Sequence, residues 1–576
     1  MLILLTIFLL IFTPFAMLVL HLVRPKFSIQ GFLVVLAVLA SWPMVLLART
    51  ADPQVITLLV WKPDILFSIS PSLLIDDISW FFSLALMSVS LSLIITSITH
   101  LGQSFRSGQT HIRAEDEIVE GEGFSEQVIS SSKPSIIDEY GVTPNWQSWA
   151  GILALTSFGL VAVSAGNMLT LMLAWAALDF TELVISLGQV MDSKSRERII
   201  LAFTARMAGI GMVLLAGIIP WSQGYSLSFE AISQSTSIYL ILAAGLRLGV
   251  LPLHIPVSQS LPPRQWLGTV LRLVPAASSY ILLVRVANIG VFGSITPYLL
   301  GFTALAGLYA AINWVNSRDE LTGRPYWLLG TASMVITSTI LKHPMASIAW
   351  SMASLLSGGL IFSMSTRHKN LIPIALLGVI NFSTLPFTPT WLGTALYQYT
   401  NAISETIPPL LFYPLFIAYL FIHSLLLAGF IRHILRGIFP AQEKSPVHIE
   451  QWVWLLYPLG LAFTAVTHFL IGLWFRPNLN ETPFIGWIMG VVTMIISGVI
   501  VFLSRRYPQV VYRRDQSGLT SSLNRFFSLE WLYRLFWQLF RLLSRLFSLL
   551  STILEGDGGF LWALVLFALI FVFLQR

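Results

Sequence analysis

The chain has 576 residues, of which 56 % are hydrophobic and only 10 % charged, with a net charge of +6. A soluble protein of this length carries far more charge, so the composition excludes a water-soluble globule and indicates an integral membrane protein. There is no cysteine, which excludes cysteine-ligated iron–sulfur clusters, disulfides and thiol chemistry within this chain.

Apolar runs near the length needed to cross a bilayer, about 20 residues, fall at 2–22, 28–48, 78–100, 148–166, 168–188, 198–220, 237–256, 267–290, 295–314, 326–341, 346–365, 371–398, 408–430, 452–475, 484–504 and 558–575. That predicts sixteen spans in an all-α polytopic fold. The first run lacks a basic n-region and a small-residue cleavage site, and reads as a retained helix rather than a signal peptide. The basic residues alternate with this count. Arg24 and Lys26; Lys194, Arg196 and Arg198; Arg264; Arg318 and Arg324; Arg367 and Lys369; Arg432, Arg436 and Lys444; and Arg505, Arg506, Arg513 and Arg514 all fall on one side. Basic loops face the cytoplasm, so both termini are expected outside, in a prokaryotic inner membrane.

Two segments do not read as spans. Residues 101–147 are polar and acidic, with Glu115, Asp116, Glu117, Glu120, Glu122 and Glu126, and are expected to form a solvated inside loop. In 519–557 the polar residues Arg534, Gln538, Arg541, Arg545, Ser548, Thr552 and Glu555 recur in steps of four and three. That spacing traces one narrow stripe on a helix. Such a helix is expected to lie along the inner membrane face, extending roughly 50 Å at about 1.5 Å per residue.

Pro252 interrupts the seventh run, and Pro386 and Pro389 interrupt the twelfth. Prolines free backbone groups that water or neighbours must satisfy. Interrupted spans at matching positions of two five-helix blocks, spans 4–8 and 9–13, are the signature of inverted repeats with a pathway at the midplane.

Several stretches, taken in order, resemble the antiporter-like proton-channel subunits of respiratory complex I. GNMLTLMLAW at 166–175 followed by ALDFTEL resembles their fifth helix, and LLIDDISWFF at 73–82 the entry to their third. LRLGVLPLHIP at 246–256 resembles the broken seventh, VLRLVPAASSYILLVR at 270–285 the eighth, and NFSTLPFTPTWLG at 381–393 the broken twelfth. A lateral amphipathic helix before the last span is most similar to the distal subunit. Similar chains occur in multisubunit cation/proton antiporters, hydrogenase-4-type complexes and inorganic-carbon uptake systems. The resemblance implies three N-terminal spans (1–100), a first repeat (148–290), a second repeat (291–440), two further spans (441–518), the lateral helix (519–557) and a last span (558–576). It implies other membrane subunits and the lipid bilayer as partners, and a peripheral enzyme subunit on the inner side. Nucleic acid is not an expected partner, and the chain itself offers no cofactor site, metal site or catalytic residue. Any enzymatic chemistry would belong to the complex, as an oxidoreductase with this chain as a proton-translocating subunit.

The resemblance also implies a relay in which a glutamate on the fifth helix pairs with a lysine on the seventh, continued by lysines or histidines on the eighth and twelfth. This sequence departs from that pattern. Ala176 follows Trp175 where the glutamate is expected, with Asp179 and Glu182 one and two turns on. Arg247 replaces the lysine of the seventh helix, and Arg272 lies near the basic position of the eighth. Ala395 or a neighbour takes the lysine position of the twelfth. Arg206 is an extra charge in the sixth run. A permanent charge in a span costs a few kcal/mol unless paired or wet, and Asp179 or Glu182 is the expected partner of Arg247. Arginine stays protonated, so it holds a carboxylate or an anion but passes no proton. Three readings stay open for Asp179, Glu182, Arg206, Arg247 and Arg272: a static ion-pair cluster in a scaffold subunit, a rewired proton or ion path that also uses His254, and an anion site. Lys342 and His343 are expected in an outer loop, and His423 and His468 as packed polar groups.

Overall fold

The computed structural model describes residues 1–23, 30–50, 52–58, 70–118, 146–190, 193–222, 227–229, 232–255, 265–291, 293–364, 369–398, 407–435, 451–474, 484–507, 538, 541–545, 547–548 and 559–574. Each apolar run of the sequence is met by a helical segment. These are α1 (Leu2–Val23), α2 (Gln30–Leu47), α3 (Asp77–Ile118), α4 (Trp146–Val163), α5 (Met168–Gly188), α6 (Ser193–Ser222), α7 (Gln234–Leu248) and α8 (Gln265–Val286). They continue as α9 (Thr296–Asn316), α10 (Glu320–Ile340), α11 (Pro344–Ser363), α12 (Ile372–Phe382), α13 (Pro409–Leu435), α14 (Gln451–Trp474), α15 (Phe484–Arg506) and α16 (Gly559–Leu574). Among the described residues, 12 helices are long and apolar enough to cross a membrane. The chain is an all-α, multi-pass membrane protein.

The chain divides into two compact units, Met1–Tyr512 and Arg513–Arg576. In the first, the Asp77–Ile98 part of α3 and α8, α10 and α11 are almost wholly buried, while α1, α2, α6 and α15 show apolar outer faces. Polar residues on the central helices act as inter-helix ties, as expected where lipid supplies no hydrophobic drive between helices. Ser88 of α3 accepts from Trp42 of α2 (2.9 Å) and Thr467 of α14 (3.2 Å), and Ser90 bonds Thr156 of α4 (2.9 Å). A short antiparallel ribbon, β1 (Gln54–Thr57) with β2 (Ser72–Ile75), precedes α3 and pairs Gln54 with Ile75 and Thr57 with Ser72. In the second unit, α16 is apolar on all sides and exposed. Of the expected lateral helix, residues 541–545 are helical, and most of 519–557 lies outside the described residues.

Two expectations need correction. The acidic loop does not start at residue 101: α3 runs on to Ile118. No proline interrupts residues 77–118, and the polar residues there include good helix formers, so the backbone has no reason to stop where the apolar run ends. Residues 119–145 lie outside the described residues. Arg324, counted above among the loop charges, sits inside α10 and is buried. Asp319 caps this helix, accepting from the Thr322 amide (2.7 Å), so the helix starts earlier than its apolar run.

The two five-helix blocks, α4–α8 and α9–α13, break at the same ordinal helix. In the first, α7 ends on Gly249 at φ 78°. That left-handed conformation suits glycine. The chain then turns through Leu251–Pro252, a cis peptide, and the His254 amide returns to the Gly249 carbonyl (2.8 Å). In the second block, α12 stops at Phe382 and the chain turns through Pro386 and Pro389 into a 3-10 segment, Trp391–Tyr397. The freed groups there are met by Thr390, whose hydroxyl accepts from the Thr384 amide (3.0 Å) and donates to the Asn381 carbonyl (2.8 Å). α11 carries a π-helical turn at Ala353–Ser357, a distortion that is rare and concentrated at functional sites.

The second break is seated against α14. A Cβ at Gly472 would lie 2.4 Å from the Pro389 Cα, whereas one at Gly301 meets nothing within 4 Å. Gly472→Ala should therefore destabilise the protein by about 1–3 kcal/mol through overpacking, while Gly301→Ala should leave its thermal unfolding unchanged or slightly raised. Detergent thermal melts of the two variants would check this.

Candidate functional site

The charged cluster is assembled by four consecutive helices. On α5, Trp175, Asp179, Glu182 and Ser186 are buried, whereas Leu173, Phe180 and Val184 are exposed. The steps of four, three and four place the first set on one face. α7 buries Thr236, Leu240, Ala243 and Arg247 by the same spacing, and α6 turns Arg206, Val213 and Ala216 inward. α6 packs against both α5 and α7, and α7 against α8.

Two separate ion pairs result. Arg247 donates to both oxygens of Asp179: Nη2 reaches Oδ1 at 2.9 Å, and Nη1 contacts Oδ2. Both side chains are essentially solvent-free. The Arg247 guanidinium carbon lies 4.1 Å from the centre of the Trp175 ring, a cation–π contact worth on the order of 2 kcal/mol when desolvated. The same tryptophan donates from Nε1 to the Ser278 carbonyl of α8 (3.4 Å). The fourth side of the arginine is closed by Gly209 of α6, where a Cβ would stand 2.9 Å from the Arg247 Cγ. Arg206 takes the other carboxylate, donating from Nη1 to Glu182 Oε2, with Nε on the Ala202 carbonyl (3.4 Å).

The remaining expected residues are placed as follows. His254 is buried just past the α7 break; its Nδ1 donates to the Pro252 carbonyl (2.9 Å) and its Nε2 is buried without a partner among the described residues. Arg272 makes no ion pair or hydrogen bond among the described residues, and its Nη1 is buried and unpartnered. It lies within electrostatic range of Glu182 and Arg206. Pro252, Pro386 and Pro389 all occupy the non-helical turns of the two breaks. Around Ala395, the buried neighbours Thr394 and Tyr397 carry no charge. His423 donates from Nε2 to the Phe382 carbonyl (3.1 Å) at the second break, and His468 Nδ1 bonds Ser357 in the π turn (3.2 Å).

Three features escaped the sequence reading. Arg324 donates to the Leu321 carbonyl and to Thr269 of α8 (both 3.1 Å). Arg285, ending α8, pairs with Asp76 through both nitrogens (3.0 and 3.3 Å) and fastens α8 to the entry of α3. Tyr280 of α8, Ser354 of the π turn and Thr331 of α10 form a buried hydroxyl chain (2.9 and 2.7 Å). The Asp76 pair had a signal, since an acidic residue at the head of one span and a basic one ending another have to find partners. The hydroxyl chain had none.

No protein-family model matches the chain, and no curated protein matches it. Solved structures do. A chain of the membrane-bound sulfane sulfur reductase, an archaeal respiratory membrane complex, aligns over 98 % of this chain and 100 % of its own length, at 14 % identity and TM-score 0.62. A chain of the Mrp complex from Dietzia sp. DQ12-45-1b aligns over 100 % of this chain and 63 % of its own, at 12 % identity and TM-score 0.65. A chain of respiratory complex I from Thermus thermophilus, solved with bound aureothin, aligns over 81 % and 97 % respectively, at 14 % identity and TM-score 0.54. At these identities the likeness is one of fold.

Removing one member of the Arg247–Asp179 pair strands a buried charge, so Asp179→Asn and Arg247→Gln should each cost about 3–5 kcal/mol. The double variant should cost clearly less than the two single losses combined, which a thermal-unfolding double-mutant cycle would read. In the α10–α11 turn, burial pushes His343 down to about 4. Unfolding lets it bind a proton at higher pH, so this histidine contributes stability that is lost as pH falls from about 6.5. His343→Gln should flatten that part of a melt-versus-pH curve.

Proposed function

We propose that the chain is an antiporter-like membrane subunit of a multisubunit energy-coupling complex. Sixteen spans contain two inverted repeats, α4–α8 and α9–α13, and the first repeat's carboxylates are locked by arginines. The observation that carries this reading is the bidentate Arg247–Asp179 pair beneath the Trp175 ring. It occupies the station where the resemblance implies a switching lysine, and arginine does not give up its proton. Two facts support the rest: the shared fold with chains of respiratory and Mrp complexes, and breaks at matching helices of the two blocks. The second repeat offers threonine and tyrosine at its break where a lysine is implied, so a proton outlet of the implied kind is not completed there. The membrane is a prokaryotic inner membrane with both termini outside. The partners are other membrane subunits, together with a peripheral enzyme subunit on the inner side.

One observation favours a second reading, ion conduction through the first repeat alone. His254, whose buried Nε2 has no partner among the described residues, lies within electrostatic range of Arg206, so Glu182, Arg206 and His254 form a short polar line beside the α7 break.

Gentle extraction from native membranes followed by native mass spectrometry should find the chain with further membrane subunits; a chain that elutes alone would contradict the proposal. In liposomes holding the assembled complex, Asp179→Asn combined with Glu182→Gln should lower the melting temperature and leave proton flux unchanged. Abolished flux would favour the second reading.

A further inference from the structure

The first repeat contains one more buried-side positive charge than its carboxylates can serve. Asp179 is taken by Arg247 and Glu182 by Arg206. Whichever way two carboxylates are shared among Arg206, Arg247 and Arg272, one arginine is left over. The structure leaves Arg272, and its nearest competitor for Glu182 would itself be stranded if Glu182 moved, since Arg206 otherwise holds only the Ala202 carbonyl at 3.4 Å.

The surroundings of Arg272 raise its need for negative charge. Gly268 precedes it by one turn on the same face of α8, as residues four apart do. The Arg324 head group from α10 rests on that glycine: a Cβ there would stand 2.9 Å from Nη1 and 3.1 Å from Nη2. Thr269 accepts from the same Nη1 (3.1 Å). Two guanidinium groups from different helices are thus brought to neighbouring turns of one helix face, within electrostatic range of each other; Asp319 and Glu320 lie within range of Arg324 and offset its charge, and neither is among the groups acting on Arg272. Arg206 adds a positive charge within range of Arg272, and Glu182, which is in range of both, is already paired with Arg206. Like charges at this spacing repel even on exposed helices, and the repulsion grows as the local dielectric falls. The buried Nη1 of Arg272 has no acceptor among the described residues, and leaving a buried charged donor unmet is costly.

We infer that Arg272, flanked by Arg324 and Arg206, forms a binding site for one small monovalent inorganic anion, which the unserved charge and the free guanidinium edge would hold together. The site goes beyond the assignment of the chain to a complex and stands or falls separately from it. The planar guanidinium suits an oxoanion, which accepts two parallel N–H bonds.

The full-length protein in phosphatidylcholine nanodiscs provides the test, with nitrate as the probe and gluconate as the bulky control at constant sodium concentration. Nitrate should raise the melting temperature along a saturating curve that gluconate does not reproduce. Arg272→Gln should abolish the nitrate response, while Arg541→Gln, at an exposed position of the second unit, should retain it. If Arg272→Gln does not yield folded protein, Arg272→Lys keeps the charge and loses the fork, and should weaken the apparent nitrate affinity at least several-fold. An equal response to nitrate and gluconate, a nitrate response unchanged in either Arg272 variant, or stabilisation that appears only on adding phosphatidylglycerol would each overturn the site.

Discussion

The fold around α5, α6 and α7 is organised by one constraint: a permanent charge placed among apolar helices has to be met. Arg247 would cost a few kcal/mol in a span if left alone. It is met by both oxygens of Asp179, by the Trp175 face, and by a glycine on α6 that leaves room for the side chain, while its Nε has no partner among the described residues. These contacts come from α5, α6 and α7 together, so the pair fixes how three helices approach. Breaking it would disturb more than one hydrogen bond. A tie of this kind resists rearrangement, since both partners are buried and the arginine fork holds both carboxylate oxygens.

The α9–α13 block is built on different chemistry. Its central helices meet through hydroxyls, imidazoles and indoles: the chain from Tyr280 of α8 through Ser354 to Thr331, Thr303 with Tyr419 (2.6 Å), and His423 stacked edge-on against Trp350. Most of these contacts join neutral groups, although α10 also buries Arg324 and Glu320. The π turn of α11 belongs to this network, with Ser354 and Ser357 on its outer coil turned toward α8, α10 and α14 partners. The two blocks therefore share a break at the same helix and differ in what surrounds it.

Much of this architecture was legible in the sequence, because lipid-facing helices must be continuously apolar, and the described residues hold 12 helices long and apolar enough to cross a membrane. The cluster residues were legible too: charge inside a span is rare enough to mark a site, and Asp179, Glu182, Arg206 and Arg247 do come together. Which carboxylate serves which arginine was not, since it depends on side-chain reach across helices rather than on spacing. Arg324 was misread as a loop charge because its helix starts with a polar turn capped by Asp319, a start that hydropathy does not see. The extension of α3 to Ile118 was missed for the same reason: a helix need not end where the apolar run ends.

The central claim is that the Arg247–Asp179 pair holds helices together and carries no proton. Replacing a buried ion pair by apolar residues of similar size is often neutral or stabilising, whereas removing one partner is not. The most direct measurement is proton flux in liposomes containing the assembled complex with Asp179→Leu and Arg247→Met introduced together. The account predicts an assembled complex with native flux. An assembled, stable complex whose flux has collapsed would contradict it, because the pair would then be needed for transport and not for structure.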